Sequence, residues 1–276
     1  KKKMTRSLLL LSYYNVGIIV AMLLMAERTP LTLGFTINPT VSNTVQWSTR
    51  NNSPDSTTTS TTTTRLSMAA TLYGSQGSRS PLVNWGAYEL DVPLEMANDM
   101  SQNPHPFGQI PCLTDDNGDV LVFESGAILQ YVYSKSKSYE TDSAAKKASV
   151  SSWVSWANAS LDPICFLETP EGKVYDTGFR GPNRRIDTLN EHLSTRTFML
   201  GDGFSLADVA VASYLLYVIQ FFPDVDFSDR WSHIVRYMKQ CAERDNYAKA
   251  FGSQVQTSLV NALDNMGKKK KMFGMF

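Results

Sequence analysis

The sequence predicts a small α/β domain followed by an all-helical domain, and three features of the chain carry that expectation. Short apolar runs bounded by Gly, Pro, Asn and Asp alternate with helix-period stretches over residues 69–137. Helix-period patterns fill residues 144–255, among them a nearly unbroken apolar run from Val209 to Phe222. The first 68 residues have the composition of an address and a linker, a short uncharged apolar stretch followed by Ser, Thr and Asn.

With 276 residues, 42% hydrophobic and 19% charged, the chain can bury the cores of two small domains. Lys plus Arg equals Asp plus Glu at 26 each, and no continuous basic face argues for a nucleic-acid partner. The exceptions, Lys1–Lys3 and Lys268–Lys271, are short terminal runs. Cys112, Cys165 and Cys241 are too few and too scattered for a disulfide framework, which predicts free thiols in a reducing compartment. His105, His192 and His233 form no metal-ligand spacing, so no metal is expected.

Residues 1–34 read as a signal peptide or membrane anchor. Lys1–Lys3 precede Met4, which reads as the natural start, and are expected to carry no function. Ser7 to Ala26 is uncharged and follows a basic start ending at Arg6, and its length just reaches the roughly 20 residues of a membrane span. Thr32 and Gly34 supply small residues for cleavage before Phe35. Residues 35–68 are rich in Ser, Thr and Asn with a single acid, Asp55, and cannot bury a core. A signal followed by such a stretch beginning at Phe35 resembles the bipartite plastid-targeting presequences of algae with secondary plastids. Plastid import is the localisation this implies; a secretory signal before a mucin-like linker, or a retained anchor at 7–26 touching membrane, is the alternative. Asn51-Asn52-Ser53 and Asn158-Ala159-Ser160 are formal glycosylation triplets of the kind that arise by chance.

The α/β segment begins with a strand at Ala70–Tyr73 and a polar turn from Gly74 to Ser80, with Pro81 opening a helix. Val83, Gly86, Ala87 and Leu90 fall on one face of that helix. A second strand follows near Leu94, and Ile110–Thr114 and Val120–Phe123 flank the hairpin turn Asp115-Asp116-Asn117-Gly118. Ile128, Tyr131 and Val132 then place an apolar stripe on a helix.

Within this segment, Asn103-Pro104-His105-Pro106-Phe107-Gly108-Gln109-Ile110-Pro111, followed by Phe123-Glu124-Ser125-Gly126-Ala127-Ile128, resembles the glutathione-binding signature of soluble glutathione transferases. The resemblance implies a thioredoxin-like N-terminal domain joined to an all-α C-terminal domain, with glutathione as co-substrate. In that family the proline matching Pro111 is cis, which implies that the N–H and C=O of Ile110 pair with the cysteinyl part of glutathione like an added strand. The resemblance also implies that Ser125 holds the γ-glutamyl carboxylate at a helix N-terminus, that Glu124 helps receive the ammonium, and that Gln109 contacts the peptide backbone or glycyl carboxylate. A plain helix cap is the other reading of Ser125, and a solvent-facing loop residue that of Gln109. His105 is inserted relative to the usual Asn-Pro-Phe-Gly order and reads as an accommodating loop residue.

Glutathione chemistry requires a thiol with a free pKa of about 8.5 to lose its proton near neutrality. Leu72-Tyr73-Gly74-Ser75-Gln76-Gly77-Ser78 resembles the first strand and turn of serine-type transferases, in which the catalytic serine lies five residues after the position of Tyr73, here Ser78, and Ser78-Arg79-Ser80-Pro81-Leu82-Val83-Asn84-Trp85 resembles cyanobacterial and algal members most. Ser78 is therefore the candidate donor to the thiolate. Ser75 and Ser80 are rivals, Arg79 offers positive charge, and turn capping is the plain reading of each serine. No cysteine occupies the turn, which counts against the cysteine-type members. One departure stands out: too few residues separate Leu94 from Asn103 for the family's second helix and its basic glutathione contact.

In the helical segment, Trp153, Trp156, Leu161, Ile164 and Phe166 form an aromatic-rich helical stretch with Pro163 near its kink or end, read as core. Ser205 and Asp208 form a capping box ahead of the apolar run, with Phe204 and Val209 placed for a hydrophobic staple. At 14 residues that run is too short to span a membrane. The Gly201–Asp208 motif resembles the capping motif of the transferase C-terminal domain, so the resemblance covers about residues 69–250. Trp231, Ile234, Val235 and Met238 continue a helical period, and residues 256–276 read as a basic tail able to touch an anionic surface.

These readings lead to a glutathione transferase that adds the thiolate to an electrophile or reduces a hydroperoxide, a detoxifying homodimer by family resemblance. The reading from another class is a noncatalytic scaffold that kept the fold, such as a subunit of a plastid membrane assembly.

Overall fold

The computed structural model describes residues 69–201 and 203–266. The leader, the Ser/Thr-rich segment and Lys268–Lys271 lie outside the described residues.

The N-terminal domain is thioredoxin-like. Strand β1 (Ala70–Tyr73) leads through a polar turn into helix α1 (Ser80–Leu90), and β2 (Leu94–Met96) returns parallel to β1. Helix α1 starts one residue earlier than the Pro81 signal, with Arg79 at the N-cap position and the Ser80 N–H donating to Ser78 Oγ at 3.1 Å. A single 3₁₀ turn, Met100–Gln102, stands between β2 and the next strand. Strands β3 (Cys112–Asp115) and β4 (Val120–Phe123) form the expected hairpin, which turns through Asn117 at φ 59°. Helix α2 (Ser125–Ser134) follows at once, and the sheet order is β2-β1-β3-β4.

The C-terminal domain runs through α3 (Lys137–Thr141), α4 (Ala144–Trp156), a π-helical turn at Ala157–Leu161 and the short α5 (Asp162–Cys165), with Pro163 inside this irregular stretch. It continues with α6 (Arg184–His192), α7 (Leu206–Phe221), α8 (Ser232–Ala242), α9 (Asp245–Phe251) and α10 (Ser253–Asn265). Two details depart from the expected domain. Strands β5 (Leu167–Glu168) and β6 (Val174–Asp176) insert a small hairpin. Residues 256–265 are helix rather than the start of a tail, since Leu259 and Leu263, one turn apart, are 2% and 3% exposed.

Helix α7 is the axis of the second domain, buried along its length from Leu206 to Ile219. Its capping box forms as expected: the Ser205 N–H donates to Asp208 Oδ2 at 2.8 Å, while Oδ1 takes the Met199 N–H at 2.7 Å. Such a cap stabilises the helix by about 1 kcal/mol. The domains join where the fully buried Trp85 of α1 meets Tyr247 edge-on at 5.0 Å. Glu89 accepts from Trp85 Nε1 at 2.9 Å and pairs with Arg244 at 2.6 Å, and the guanidinium lies 3.8 Å from the Phe204 ring centre. The domains thus share one core. Among the described residues no helix is long and apolar enough to cross a membrane.

Candidate functional site

Strand register brings three segments to one end of the sheet. Tyr73 pairs with Cys112 and Cys112 with Phe123, and β3 runs antiparallel to both neighbours. The chain after Tyr73, before Cys112 and after Phe123 therefore leaves the sheet at the same edge, carrying the Gly74–Arg79 turn, Ile110–Pro111 and Glu124–Ser125. Strands lie about 4.8 Å apart, so the outer two segments are about 10 Å apart, the span of an extended tripeptide.

The middle segment is a backbone site. The Ile110–Pro111 peptide is cis, and the N–H and C=O of Ile110 have no backbone partner among the described residues. The neighbouring carbonyl of Gln109 is held by Asn103 Nδ2 at 2.9 Å, while the Gln109 side chain is exposed. His105 packs the loop from inside: its Nδ1 accepts the Phe107 N–H at 3.0 Å and its ring lies 4.9 Å from that of Phe123. The ring nitrogen facing the loop is thus committed to it.

The third segment presents a helix N-terminus. Glu124 adopts φ 68°, a conformation a non-glycine residue adopts only under strong local constraint, and its side chain is exposed. The first-turn N–H groups of α2 have no carbonyl partner within the helix and carry its positive dipole end. Ser125 is buried and its hydroxyl donates to Asn158 Oδ1 at 3.2 Å, an oxygen that also accepts Tyr214 OH at 2.9 Å. Asn158 Nδ2 donates to the Val154 carbonyl at 2.8 Å, so the formal glycosylation triplet at Asn158 serves packing. Only glycine fits at 126, where a Cβ would stand 2.5 Å from Asn158 Nδ2.

In the first segment, the Ser78 hydroxyl lies 2.9 Å from the Ser75 carbonyl and 2.7 Å from Ser80 Oγ, so it takes part in its own turn. Ser80 is buried against Gly74, where a Cβ would meet Ser80 Oγ at 1.9 Å. The Ser75 hydroxyl makes no hydrogen bond among the described residues, although its N–H donates to Ser80 Oγ at 3.2 Å. Arg79 does not point a free charge into the site. Its Nη2 donates to both carboxylate oxygens of Asp162, at 2.6 and 2.7 Å, and the guanidinium lies 5.5 Å from the Tyr214 ring centre. Burial pulls the guanidinium down, but the charge and hydrogen bonds of Asp162 oppose it and Arg79 stays charged. Tyr217 OH donates to the Ser78 carbonyl at 3.2 Å, fixing the turn from the helical domain. Burial, offset in part by Arg79, pushes the Tyr214 phenol up to about 12, so Tyr214 acts as a hydrogen-bonding group rather than a proton carrier near neutrality.

Asn158, Asp162, Tyr214 and Tyr217 were not among the residues expected at the site. The signal available was a polar pair, Asn158 and Asp162, spaced i, i+4 inside an aromatic-rich helical stretch. The three cysteines are buried, and burial raises the thiols of Cys165 and Cys241 well above their usual range, leaving them unreactive.

The family model described as Glutathione S-transferase, N-terminal domain, matches residues 71–134, and that described as Glutathione S-transferase, C-terminal domain, matches residues 153–245. Together they span more than half of the chain. The elongation factor 1-gamma of Danio rerio is 27% identical over 155 residues, 53% of this chain and 34% of that protein. The probable elongation factor 1-gamma 1 of Arabidopsis thaliana is 22% identical over 214 residues, 70% of this chain and 51% of that protein. The chain thus spans between a third and about half the length of these curated relatives. A solved glutathione S-transferase I bound with lactoylglutathione superposes with a TM-score of 0.53 at 24% identity, over 67% of this chain and 99% of that one. At that identity the likeness is one of fold.

Proposed function

The chain belongs to the glutathione S-transferase family, and on that premise we propose that it binds glutathione across the sheet end and activates its thiol for addition to an electrophile or reduction of a hydroperoxide. The observation that carries this reading is the meeting, at one sheet edge, of the unpaired Ile110 backbone with the N-terminus of α2 at Ser125. The γ-glutamyl carboxylate is held by the first-turn N–H groups of α2, that of Ser125 among them, rather than by the Ser125 hydroxyl, whose proton goes to Asn158, and its ammonium is held by the exposed carboxylate of Glu124. The cysteinyl residue pairs with Ile110, with Pro111 shaping the turn, and Gln109 flanks the glycyl end.

The thiolate then faces the Ser78 turn. If Ser80 donates to Ser78 Oγ, the Ser78 proton has only the Ser75 carbonyl as its taker, and a charged thiolate outcompetes a neutral carbonyl for it. Ser75 is the rival donor, and Arg79 is the weaker candidate because Asp162 holds its charge. The proposal extends to a homodimer and, from the composition of residues 1–68 alone, to plastid import.

The second reading, a noncatalytic binding or scaffold protein, is favoured by the inward-turned Ser78 hydroxyl and by curated relatives named elongation factor 1-gamma. Calorimetric titration of glutathione into the full chain and into Ser78→Ala, with chlorodinitrobenzene and cumene hydroperoxide turnover, separates the two. Binding with turnover that falls at least tenfold in the variant, about 1.4 kcal/mol of transition-state stabilisation, supports the serine-type enzyme. Binding without turnover selects the scaffold, and no binding at millimolar glutathione overturns the glutathione site.

A further inference from the structure

Two tyrosines of the buried central helix reach two separate parts of the proposed glutathione site. Tyr214 and Tyr217 stand at i, i+3 on α7 and are 1% and 6% exposed, so their rings leave the same side of the helix. Tyr214 OH donates to Asn158 Oδ1 at 2.9 Å, and that oxygen also takes the Ser125 hydroxyl at 3.2 Å. Tyr217 OH donates to the Ser78 carbonyl at 3.2 Å. One hydroxyl thus supports the start of α2, and its neighbour supports the thiol turn.

Within the N-terminal domain, β3 stands between the strands that carry these two segments, and the sheet sets the strand ends about 10 Å apart. Ser78 lies five residues beyond the end of β1, where the sheet no longer holds the chain. The bonds that leave its turn run to the helical domain: Tyr217 to Ser78, Gln76 Nε2 to the Ala250 carbonyl at 3.4 Å, and Arg79 to Asp162. At the other segment the first turn of α2 is pressed against Asn158, where a Cβ on Gly126 would stand 2.5 Å from Nδ2. The Asn158 amide is itself oriented from both sides, with Oδ1 facing two hydroxyls and Nδ2 donating to the Val154 carbonyl at 2.8 Å.

Burial, offset in part by Arg79, holds both phenols above the ordinary tyrosine value, so both keep their protons and donate across the range in which a thiol ionises. A neutral donor fixes a position without adding charge to the site. Position matters because the thiol is placed by the α2 anchor and the Ile110 backbone, whereas the hydroxyl that meets it is placed by the Ser78 turn. A misplacement of about 1 Å can cost about a hundredfold in rate.

We propose that Tyr214 and Tyr217 are positioning residues that align the glutathione anchor with the thiol turn from one helix, Tyr214 acting through Asn158 on the anchor and Tyr217 on the turn. This rests on the glutathione reading of Ile110, Ser125 and Ser78.

The test uses the full chain, Tyr214→Phe and Tyr217→Phe, each of which removes one hydroxyl and keeps the ring. Calorimetric titration with S-methylglutathione, which carries the anchored groups but cannot ionise, reads the anchor. The pH titration of bound glutathione, followed by the ultraviolet absorbance of its thiolate, reads the turn. Tyr214→Phe should weaken S-methylglutathione about fivefold and leave the bound thiol where the parent holds it. Tyr217→Phe should raise the pKa of the bound thiol by about one unit, an about tenfold smaller thiolate fraction below it, and leave S-methylglutathione affinity within about twofold. Asn158→Ala, a second route to the anchor, should repeat the Tyr214→Phe pattern. A merely structural role would lower Tm alone; a variant that leaves its own readout unmoved, or moves the other one, overturns the inference while the glutathione site stands. A bound thiol that titrates at its ordinary value in the parent overturns the inference and the Ser78 assignment, with the binding reading intact. Failure of both ligands to bind the parent at millimolar concentration overturns the site reading and this inference with it.

Discussion

Replacing Gly126 with alanine tests whether the helical domain holds Ser125 in place. The added Cβ would stand 2.5 Å from Nδ2, 3.0 Å from Cγ and 3.3 Å from Oδ1 of Asn158, so that side chain must swing away. Three hydrogen bonds then break: Ser125 to Asn158, Tyr214 to Asn158, and Asn158 to the Val154 carbonyl. At about 1 kcal/mol each the loss is about 3 kcal/mol. Alanine in a helix returns about 1 kcal/mol relative to glycine. The net destabilisation is about 2 kcal/mol, which for a folded body of this size lowers Tm by about 4–8 °C.

The assay is urea and thermal unfolding of the full chain, its Gly126→Ala and Asn158→Ala variants and the double variant. If Gly126 acts through Asn158, removing the Asn158 side chain first makes room for the methyl. The double variant should then be no less stable than Asn158→Ala alone, a coupling of about 2 kcal/mol. Gly126→Ala within about 0.5 kcal/mol of the parent, or a double variant whose loss equals the sum of the singles, would refute the reasoning.

Asp208 yields a pH prediction. Burial, resisted by its hydrogen bonds to Met199 and Ser205, pushes its carboxyl up to about 6 in the folded chain, against about 3.9 unfolded. The folded state therefore holds a proton that the unfolded state has released between about pH 4 and pH 6, so stability falls across that window by about 3 kcal/mol and stays level above it. Unfolding curves across pH should show this slope in the parent chain and lose it in Asp208→Asn. Asp162→Asn leaves the Arg79 guanidinium without its charge partner; with side chains 39% and 24% exposed, solvent screens the pair and the loss should be about 1–2 kcal/mol, read by urea unfolding. Leu259→Ala, at a site 2% exposed, should lose about 2–4 kcal/mol in the same measurement, whereas a mobile tail would lose nothing.

Much of the fold was legible because its determinants are local. The Asp115–Gly118 turn, the short strand at Ala70–Tyr73 and the Ser205–Asp208 capping box each act within four or five residues, and each appears where the residue pattern predicts it. The candidate glutathione motifs were legible for the same reason, since a cis-proline turn and a strand-to-helix junction are short stretches of chain. Helix α10 was not, because Val255, Leu259, Val260 and Leu263 sit among polar residues and acquire meaning only against the core they cover. The β5–β6 hairpin escaped for a related reason, with strands of two and three residues that carry no period.

The sequence by itself determined two domains, their order, the caps and turns that bound their helices, and an N-terminal domain without cations from Ser80 to Ser134. Tertiary structure alone decided which groups at the site are free. Arg79 meets Asp162 across 83 residues, Ser125 meets Asn158 across 33, and Tyr217 reaches the Ser78 carbonyl across 139. A hydrogen bond or ion pair forms where packing delivers two groups to within about 3 Å, and no local pattern encodes that delivery. It is the packing of the helical domain on the sheet edge that engages Arg79 and the Ser125 hydroxyl while leaving the Ile110 backbone unpaired.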